Sequence, residues 1–139
     1  MSLTLLEDVR QAVISAFQTA HAVSYSATKV NYPNLVVVDL EHQVAPFVSV
    51  ELDLSKVTRA ALADTELLVP GVLQVYFYYR EGTGTSGALR YTDSLNTNLC
   101  MRQHGAIYYH AVKPMPVTTF PAWVGLLNYI KFDLNKACV

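Results

Sequence analysis

Six residues near the middle of the chain have the types and spacing of a nucleotide-binding loop. Gly82, Gly84 and Gly87 spell G-x-G-x-x-G between a strand pattern and a helix pattern, which is where a dinucleotide-binding fingerprint would lie. In such a unit the glycine turn places a pyrophosphate at a helix N-terminus, and an acidic residue about 20 positions later binds the ribose. After Asp93 the next carboxylate is Asp133, and no Lys-Ser/Thr pair follows the glycines. We therefore interpret the loop as a strand-to-helix connection.

The remaining reactive side chains form no catalytic or metal-binding pattern in the sequence. Catalysis needs a base beside a nucleophile or an acid, and the histidines stand apart from one another. They are His21, His42, His104 and His110. Cys100 and Cys138 lack the spacing of metal ligands, so we expect two reduced thiols of a protein made in the cytoplasm. We predict no catalytic residue, no metal and no cofactor.

Length and composition favour one domain that associates with a partner. The chain has 139 residues, and single domains commonly have about 100–150. Hydrophobic residues make up 52% of it and charged residues 15%, against about 25% charged in average soluble proteins. A chain with so few charges and nine tyrosines is expected to bury part of its surface in an oligomer.

Membrane insertion, export and nucleic-acid binding are not expected. No apolar run approaches the roughly 20 residues that span a bilayer. The first residues lack the basic region of a secretory signal. The formal net charge of −1 does not fit the basic patch of a nucleic-acid-binding surface.

Charge is distributed unevenly along the chain. Residues 34–66 contain six acidic and two basic residues, a net charge of −4, and residues 94–132 contain three basic residues and no acid, a net charge of +3. The two segments either pair within the fold or face water, or they form a head-to-tail contact in which identical subunits close a ring.

Hydrophobic periodicity predicts two helices. The first runs from about Thr4 to Ala20, with a capping box formed by Thr4 and Glu7. The second follows the glycine loop, is capped by Ser86 and ends near Arg102.

The strand patterns surround the second helix. Residues 47–54 alternate with Ser49, Glu51 and Asp53 on one face, which predicts a half-buried strand. Residues 71–79 predict a strand that is substantially covered on both faces and therefore central in its sheet. Residues 107–112 predict a further strand and residues 123–134 a last strand or strand pair, with a break between them at the prolines of 113–116. We expect a loop at 25–34 and a hairpin arm or ordered loop at 56–70.

These elements follow in the order α-β-β-α-β-β. The order predicts a single α+β domain over residues 1–139, with a mixed, mostly antiparallel sheet and two helices on one face.

Short motifs along nearly the whole chain resemble those of a known family. They are the N-terminal Met1-Ser2-Leu3-Thr4-Leu5, the strand Pro46-Phe47-Val48-Ser49-Val50, the strand that opens at Gly71, the turn Glu81-Gly82-Thr83-Gly84, the helix segment Tyr91-Thr92-Asp93-Ser94-Leu95, and Trp123 followed by Tyr129-Ile130-Lys131-Phe132-Asp133. With them the chain resembles the small tail terminator, or tail completion, proteins of tailed bacteriophages.

The resemblance implies a structural virion protein and not an enzyme. Six copies would form a ring on the head-proximal end of the tail tube, stop tube polymerisation and provide the surface for head-tail joining. The implied partners are other copies of the chain, the tail tube protein and a head-tail connector or neck protein. The alternatives are another neck or connector protein of a phage, or a small nucleotide-binding protein that uses the Gly82–Gly87 loop.

A long, partly apolar connection with interleaved charges is our hypothesis for the ring interface. We expect the segment from Lys56 to Pro70 of one subunit to contact the sheet of the next. The residues expected at the subunit or tube contact are Arg59, Asp64, Glu66, Tyr78, Arg80 and Glu81.

Overall fold

One seven-stranded sheet carries both helices on the same face. The computed structural model describes residues 6–33, 36, 38–40, 42–54, 68–117 and 122–135. The helices are α1 (Leu6–Tyr25) and α2 (Ser86–Asn98). The strands are β1 (Val30–Asn31), β2 (Phe47–Asp53), β3 (Leu68–Arg80), β4 (Arg102–His104), β5 (Ile107–Tyr109), β6 (Lys113–Val117) and β7 (Trp123–Asn135). The predicted α+β class is confirmed.

The strand order is β1-β2-β3-β7-β5-β4, and β6 also pairs with β7. The short β1 runs parallel to β2, and all other pairs are antiparallel. β3 pairs with β7 from Leu68 to Arg80 and with β2 from Val72 to Tyr78, so the predicted central strand is confirmed. β5 and β6 pair with successive parts of β7, since Ile107 is opposite Leu134 and Lys113 is opposite Tyr129.

The apolar stripe of α1 packs into the main core. Val9, Val13, Phe17 and Ala20 recur at helical spacing and are buried, as predicted. The helix continues to Tyr25, however, well beyond the predicted end. Tertiary contacts account for the extension, because the last turn packs its aromatic side chains against α2. Thr4 of the predicted capping box lies outside the described residues.

The predicted ends of α2 are wrong in detail. Thr85 occupies the N-cap position without a side-chain hydrogen bond, and Ser86 is already helical, so Ser86 is not the cap. The helix ends at Asn98, before the predicted end near Arg102. Met101 has a φ of 56°, a left-handed conformation that stops the helix and turns the chain into β4.

Three strands, β1, β4 and β6, lie where none was predicted. β1 falls within the predicted loop at 25–34, and Val30 pairs with Val48. β4 forms a hairpin with β5 through Gly105, whose φ of 63° suits a tight turn. β5 ends at Tyr109, short of the predicted 112.

The predicted break at the prolines is also wrong, because β6 runs through both of them. Among the described strands β6 pairs only with β7. Pro114 and Pro116 are two residues apart, so their nitrogens face the same side of the strand. Proline nitrogens that face the unpaired side of an edge strand remove no hydrogen bond from the sheet, which is how edge strands accommodate proline.

The alternating strand at 47–54 is confirmed as β2. Val48 and Val50 are buried, whereas Ser49 is half-buried and Glu51 and Asp53 are exposed. The predicted hairpin arm or loop at 56–70 lies outside the described residues up to residue 67, and its last three residues begin β3.

Candidate functional site

The face of the sheet opposite the helices is the candidate functional site, and we call it the open face. Neighbouring side chains along a strand point to opposite sides, and cross-strand partners share a side. Leu73, Val75 and Phe77 of β3 belong to the helical core, so the residues between them point to the open face. It contains Ser49, Glu51 and Asp53 of β2, Val72, Gln74, Tyr76 and Tyr78 of β3, Leu127, Tyr129, Lys131 and Asp133 of β7, and Lys113 and Met115 of β6.

Aromatic and apolar side chains form the centre of the open face. The rings of Tyr76 and Tyr78 stack with centroids 6.0 Å apart and planes 5° apart. Leu127 lies opposite Tyr76, and Met115 lies opposite Leu127. Met115 remains 38% exposed. Tyrosine and methionine are enriched where proteins bury surface against a partner, so the composition of this centre fits a contact surface.

Burial and charge keep the two stacked phenols neutral. Burial is the largest cause that raises the pKa of Tyr76 and of Tyr78, and the carboxylate of Glu51 raises both further. Each hydroxyl is therefore a neutral hydrogen-bonding group. The two hydroxyls can therefore form hydrogen bonds with a partner, but neither is a nucleophilic phenolate.

Charges of opposite sign flank this centre. Glu51 of β2 lies on one side, and Lys113 of β6 and Lys131 of β7 lie on the other, all exposed. Three strand spacings separate Glu51 from Lys113, about 14 Å. Within the described part of the chain, no ion pair joins Glu51 to either lysine. Among the described residues Glu51 therefore has no ion-pair partner.

One end of the open face is covered by Val38, and we call residues 38–40 and 42–46 the covering segment. Val38, Phe47 and Trp123 form a second, smaller buried cluster against Tyr78. Arg80 holds the covering segment, because its guanidinium lies 4.5 Å over the Trp123 ring and donates a 2.6 Å hydrogen bond to the carbonyl of Gln43. The covering segment therefore stands above the plane of the sheet at this end.

The predicted interface residues are distributed as follows. Tyr78 lies on the open face, half-buried at the edge of the second cluster. Arg80 is engaged with Trp123 and Gln43 of its own chain. Glu81 is exposed in the turn after β3, where its backbone N–H bonds the carbonyl of Ala122 at 3.0 Å. The other three, Arg59, Asp64 and Glu66, lie outside the described residues.

A histidine–carboxylate pair that the sequence analysis missed lies where β5 leaves β7. Nε2 of His110 is 2.5 Å from Oδ2 of Asp133, and the backbone N–H of His110 bonds the carbonyl of Lys131. The ring of Tyr108 meets the imidazole edge to face at 5.1 Å. The pair is half-exposed, and no hydrogen bond joins it to a serine, threonine or cysteine among the described residues. Only the register of β5 and β7 brings the two residues together, so no local signal could reveal it.

A second histidine has a structural role. His21 is buried between the helices, with Nδ1 2.7 Å from the Tyr91 hydroxyl and Nε2 3.1 Å from the carbonyl of Thr28. A carbonyl only accepts, so Nε2 carries the proton and Nδ1 accepts from the tyrosine. Burial lowers the pKa of His21 and raises that of Tyr91. Both side chains are neutral and join α1 to α2.

The glycine loop does not belong to a dinucleotide-binding unit. Such a unit needs a strand–helix–strand crossover in a parallel sheet, whereas β3, which leads into the loop, is antiparallel to both of its neighbours. Gly82 and Gly84 adopt φ values of 88° and 83°, which explains glycine at those turn positions. Gly87 has open space where a Cβ would lie, so no close helix–strand approach requires glycine at this position.

The part of the chain that the structure describes contains no assembled site for metal or thiol chemistry. No group of three or more potential ligands comes together there. Cys100 is a free, buried thiol whose pKa is raised by burial to about 11, so it is protonated at neutral pH. Over the same residues, neither helix is long and apolar enough to cross a membrane.

Comparison with known proteins identifies the fold but no activity. No protein-family model matches the chain, and no curated protein matches it. A solved structure is similar over 91% of this chain and 93% of that chain, with 19% sequence identity and a TM-score of 0.63. At this level of identity, the likeness shows the shared fold alone.

Proposed function

We propose that the chain is a structural virion protein of a tailed bacteriophage, a tail terminator that forms a homohexameric ring. The ring caps the head-proximal end of the tail tube, ends tube polymerisation and presents the surface that joins the head-tail connector. The proposal assigns no reaction and no cofactor to the chain. It is supported by the family resemblance of the sequence motifs and by an α+β fold of the kind that the resemblance implies.

The open face is the observation that carries the proposal. A sheet covered by helices on one side presents a tyrosine-rich centre flanked by an acidic and a basic side. A surface of opposite charges at opposite sides suits a contact between different surfaces of identical subunits, which is the geometry that closes rings. Complementary charge of this kind steers encounter and sets register.

Tail tube elongation tests the proposal. Purified protein is added to tail tubes assembled from the tube protein of the phage that encodes it, tube monomer is then supplied, and tube lengths and ends are measured by electron microscopy. We expect additional density at one end of each tube and no further growth from that end. Growth from both ends at the rate of untreated tubes would contradict the proposal.

The same experiment separates the alternative virion role. If the chain binds purified connector and leaves tube growth unchanged, it is a connector-side neck protein and the terminator proposal fails. A thermal shift assay with nucleotides tests the glycine loop, because a ligand that binds only the folded state raises the apparent stability. Protection by a nucleotide would overturn the structural role assigned to the loop.

A further inference from the structure

Four side chains form a straight row across the open face. Glu51 of β2 pairs with Gln74 of β3, Gln74 pairs with Tyr129 of β7, and Tyr129 pairs with Lys113 of β6. The acidic end and the basic end of this row are both exposed, and the two middle residues are half-buried. We call these four residues the charged row.

The two ends of the charged row are too far apart to form an ion pair with each other. Their separation of about 14 Å exceeds the Debye length of about 8 Å at physiological salt. Within the described residues neither Glu51 nor Lys113 forms an ion pair. Since no described residue neutralises either end, each end can meet a charge of opposite sign on another molecule.

We infer that the charged row is a contact between copies of this chain, in which the Glu51 end of one subunit meets the Lys113 end of the next. The occupant is a second copy because one chain carries both halves of the complementary pair at opposite sides of the same sheet. The inference deepens the proposed ring and rests on it for the number of copies.

The contact is made by side chains and does not extend the sheet. Pro114 and Pro116 have no N–H to donate, and both lie on β6, the strand that carries the basic end. A neighbouring strand could not form a regular hydrogen-bond ladder with this edge, since proline on an edge strand blocks such pairing. Side-chain charge is then the feature that specifies which parts of the two sheets meet.

Side-by-side association fits the open face better than face-to-face stacking. Stacked sheets approach to about 10 Å, and Val38 of the covering segment packs against Phe47 and Trp123 at one end of the open face. The covering segment would obstruct a second sheet there. Lateral contact leaves the tyrosine centres of all copies facing the same way, as a common surface of the ring.

Charge reversal with complementation tests the charged row. The variants are Glu51→Lys and Lys113→Glu, and the matched controls are Asp93→Lys and Arg90→Glu, which change exposed residues of α2. Mass is measured by light scattering over a range of concentration and salt, on tail tubes where assembly needs them, and circular dichroism confirms folding. We expect each row variant to raise the concentration needed for assembly at least tenfold, and both controls to assemble as the wild type does.

An equimolar mixture of the two row variants tests directly whether the two ends of the charged row contact each other. Reversed charges face each other again wherever the variants alternate, so we expect the mixture to regain the wild-type mass. Row variants that assemble alone at the wild-type concentration would overturn the inference. A mixture that forms only a two-copy species would also overturn it, because that species would indicate face-to-face stacking.

Two further outcomes separate the charged row from the proposed function. Row variants that still cap tubes would refute the charged row and leave the proposed function standing. Complementation without tube capping by the wild type would refute the function and leave the contact standing.

Discussion

The hydroxyl of Tyr91 lies 2.7 Å from Nδ1 of His21, and this buried hydrogen bond joins two helices from residues 70 positions apart. The other ring nitrogen of His21 bonds the carbonyl of Thr28. The imidazole is therefore held in its neutral form by a donor on one side and an acceptor on the other. Protonation would place a second donor against the tyrosine and a charge in the core.

Stability is predicted to fall in mild acid because of His21. Above about pH 6.5 the imidazole is neutral in both the folded and the unfolded chain. Below it the unfolded chain binds a proton that the folded chain rejects, because burial lowers the folded pKa. The unfolding free energy should then fall by up to about 1.4 kcal/mol per pH unit. Thermal unfolding from about pH 5 to pH 8 should show a shallower dependence for His21→Gln, and identical profiles would contradict this account.

Asn128 is predicted to attach α2 to the sheet in combination with Thr92. Its Nδ2 donates to the carbonyl of Val75 at 3.1 Å, and its Oδ1 accepts from the Thr92 hydroxyl. Asn128→Leu leaves buried groups without these partners and should cost about 1–3 kcal/mol in urea unfolding. Thr92→Val should cost much less in that variant than in the wild type, because its acceptor is already lost. Costs that simply add would contradict the coupling.

Two glycines provide a matched pair of opposite predictions. A Cβ at Gly71 would overlap the buried ring of Phe132 on β7, whereas a Cβ at Gly87 meets nothing within 4 Å. Gly71→Ala should destabilise the protein by about 1–3 kcal/mol. Gly87→Ala, in the first turn of α2, should stabilise it by about 0.4–1 kcal/mol. Urea unfolding of both variants checks the pair, and equal effects would show that β3 and β7 do not approach as closely as described.

Arg80 is predicted to hold the covering segment over the second cluster. Trp123 is the only tryptophan in the sequence, so its fluorescence reports on this cluster alone. Arg80→Ala removes the cation–π contact, worth about 0.5–2 kcal/mol, together with the hydrogen bond to Gln43. We expect red-shifted emission at unchanged helix content. Arg90→Ala on α2 is the control, and unshifted emission in Arg80→Ala would refute the role of Arg80.

Local patterns predicted the elements whose burial follows a simple period. The stripe Val9, Val13, Phe17 indicated the inner face of α1, and alternation from Phe47 to Asp53 indicated β2. The misses depended on distant contacts. The final turn of α1 is held by Tyr91, and the strand through Pro114 exists because β7 pairs with one side of it.

The candidate site depended still more on register. The sequence showed that acidic and basic residues are concentrated in different segments, but their positions on a common surface follow from strand pairing. Glu51 and Lys113 share a row only because β3 and β7 lie between them in one alignment. The pair of His110 and Asp133 arises in the same way. Neither relationship has a signature within any short stretch of sequence.

The mass of the purified protein in solution, measured by light scattering with and without tail tubes, tests the central claim most directly. A ring-forming terminator predicts a species of six copies, either on its own or after tube addition, that weakens at high salt because charge complementarity sets its register. A monomer at every concentration that remains a monomer with tail tubes present would contradict the account.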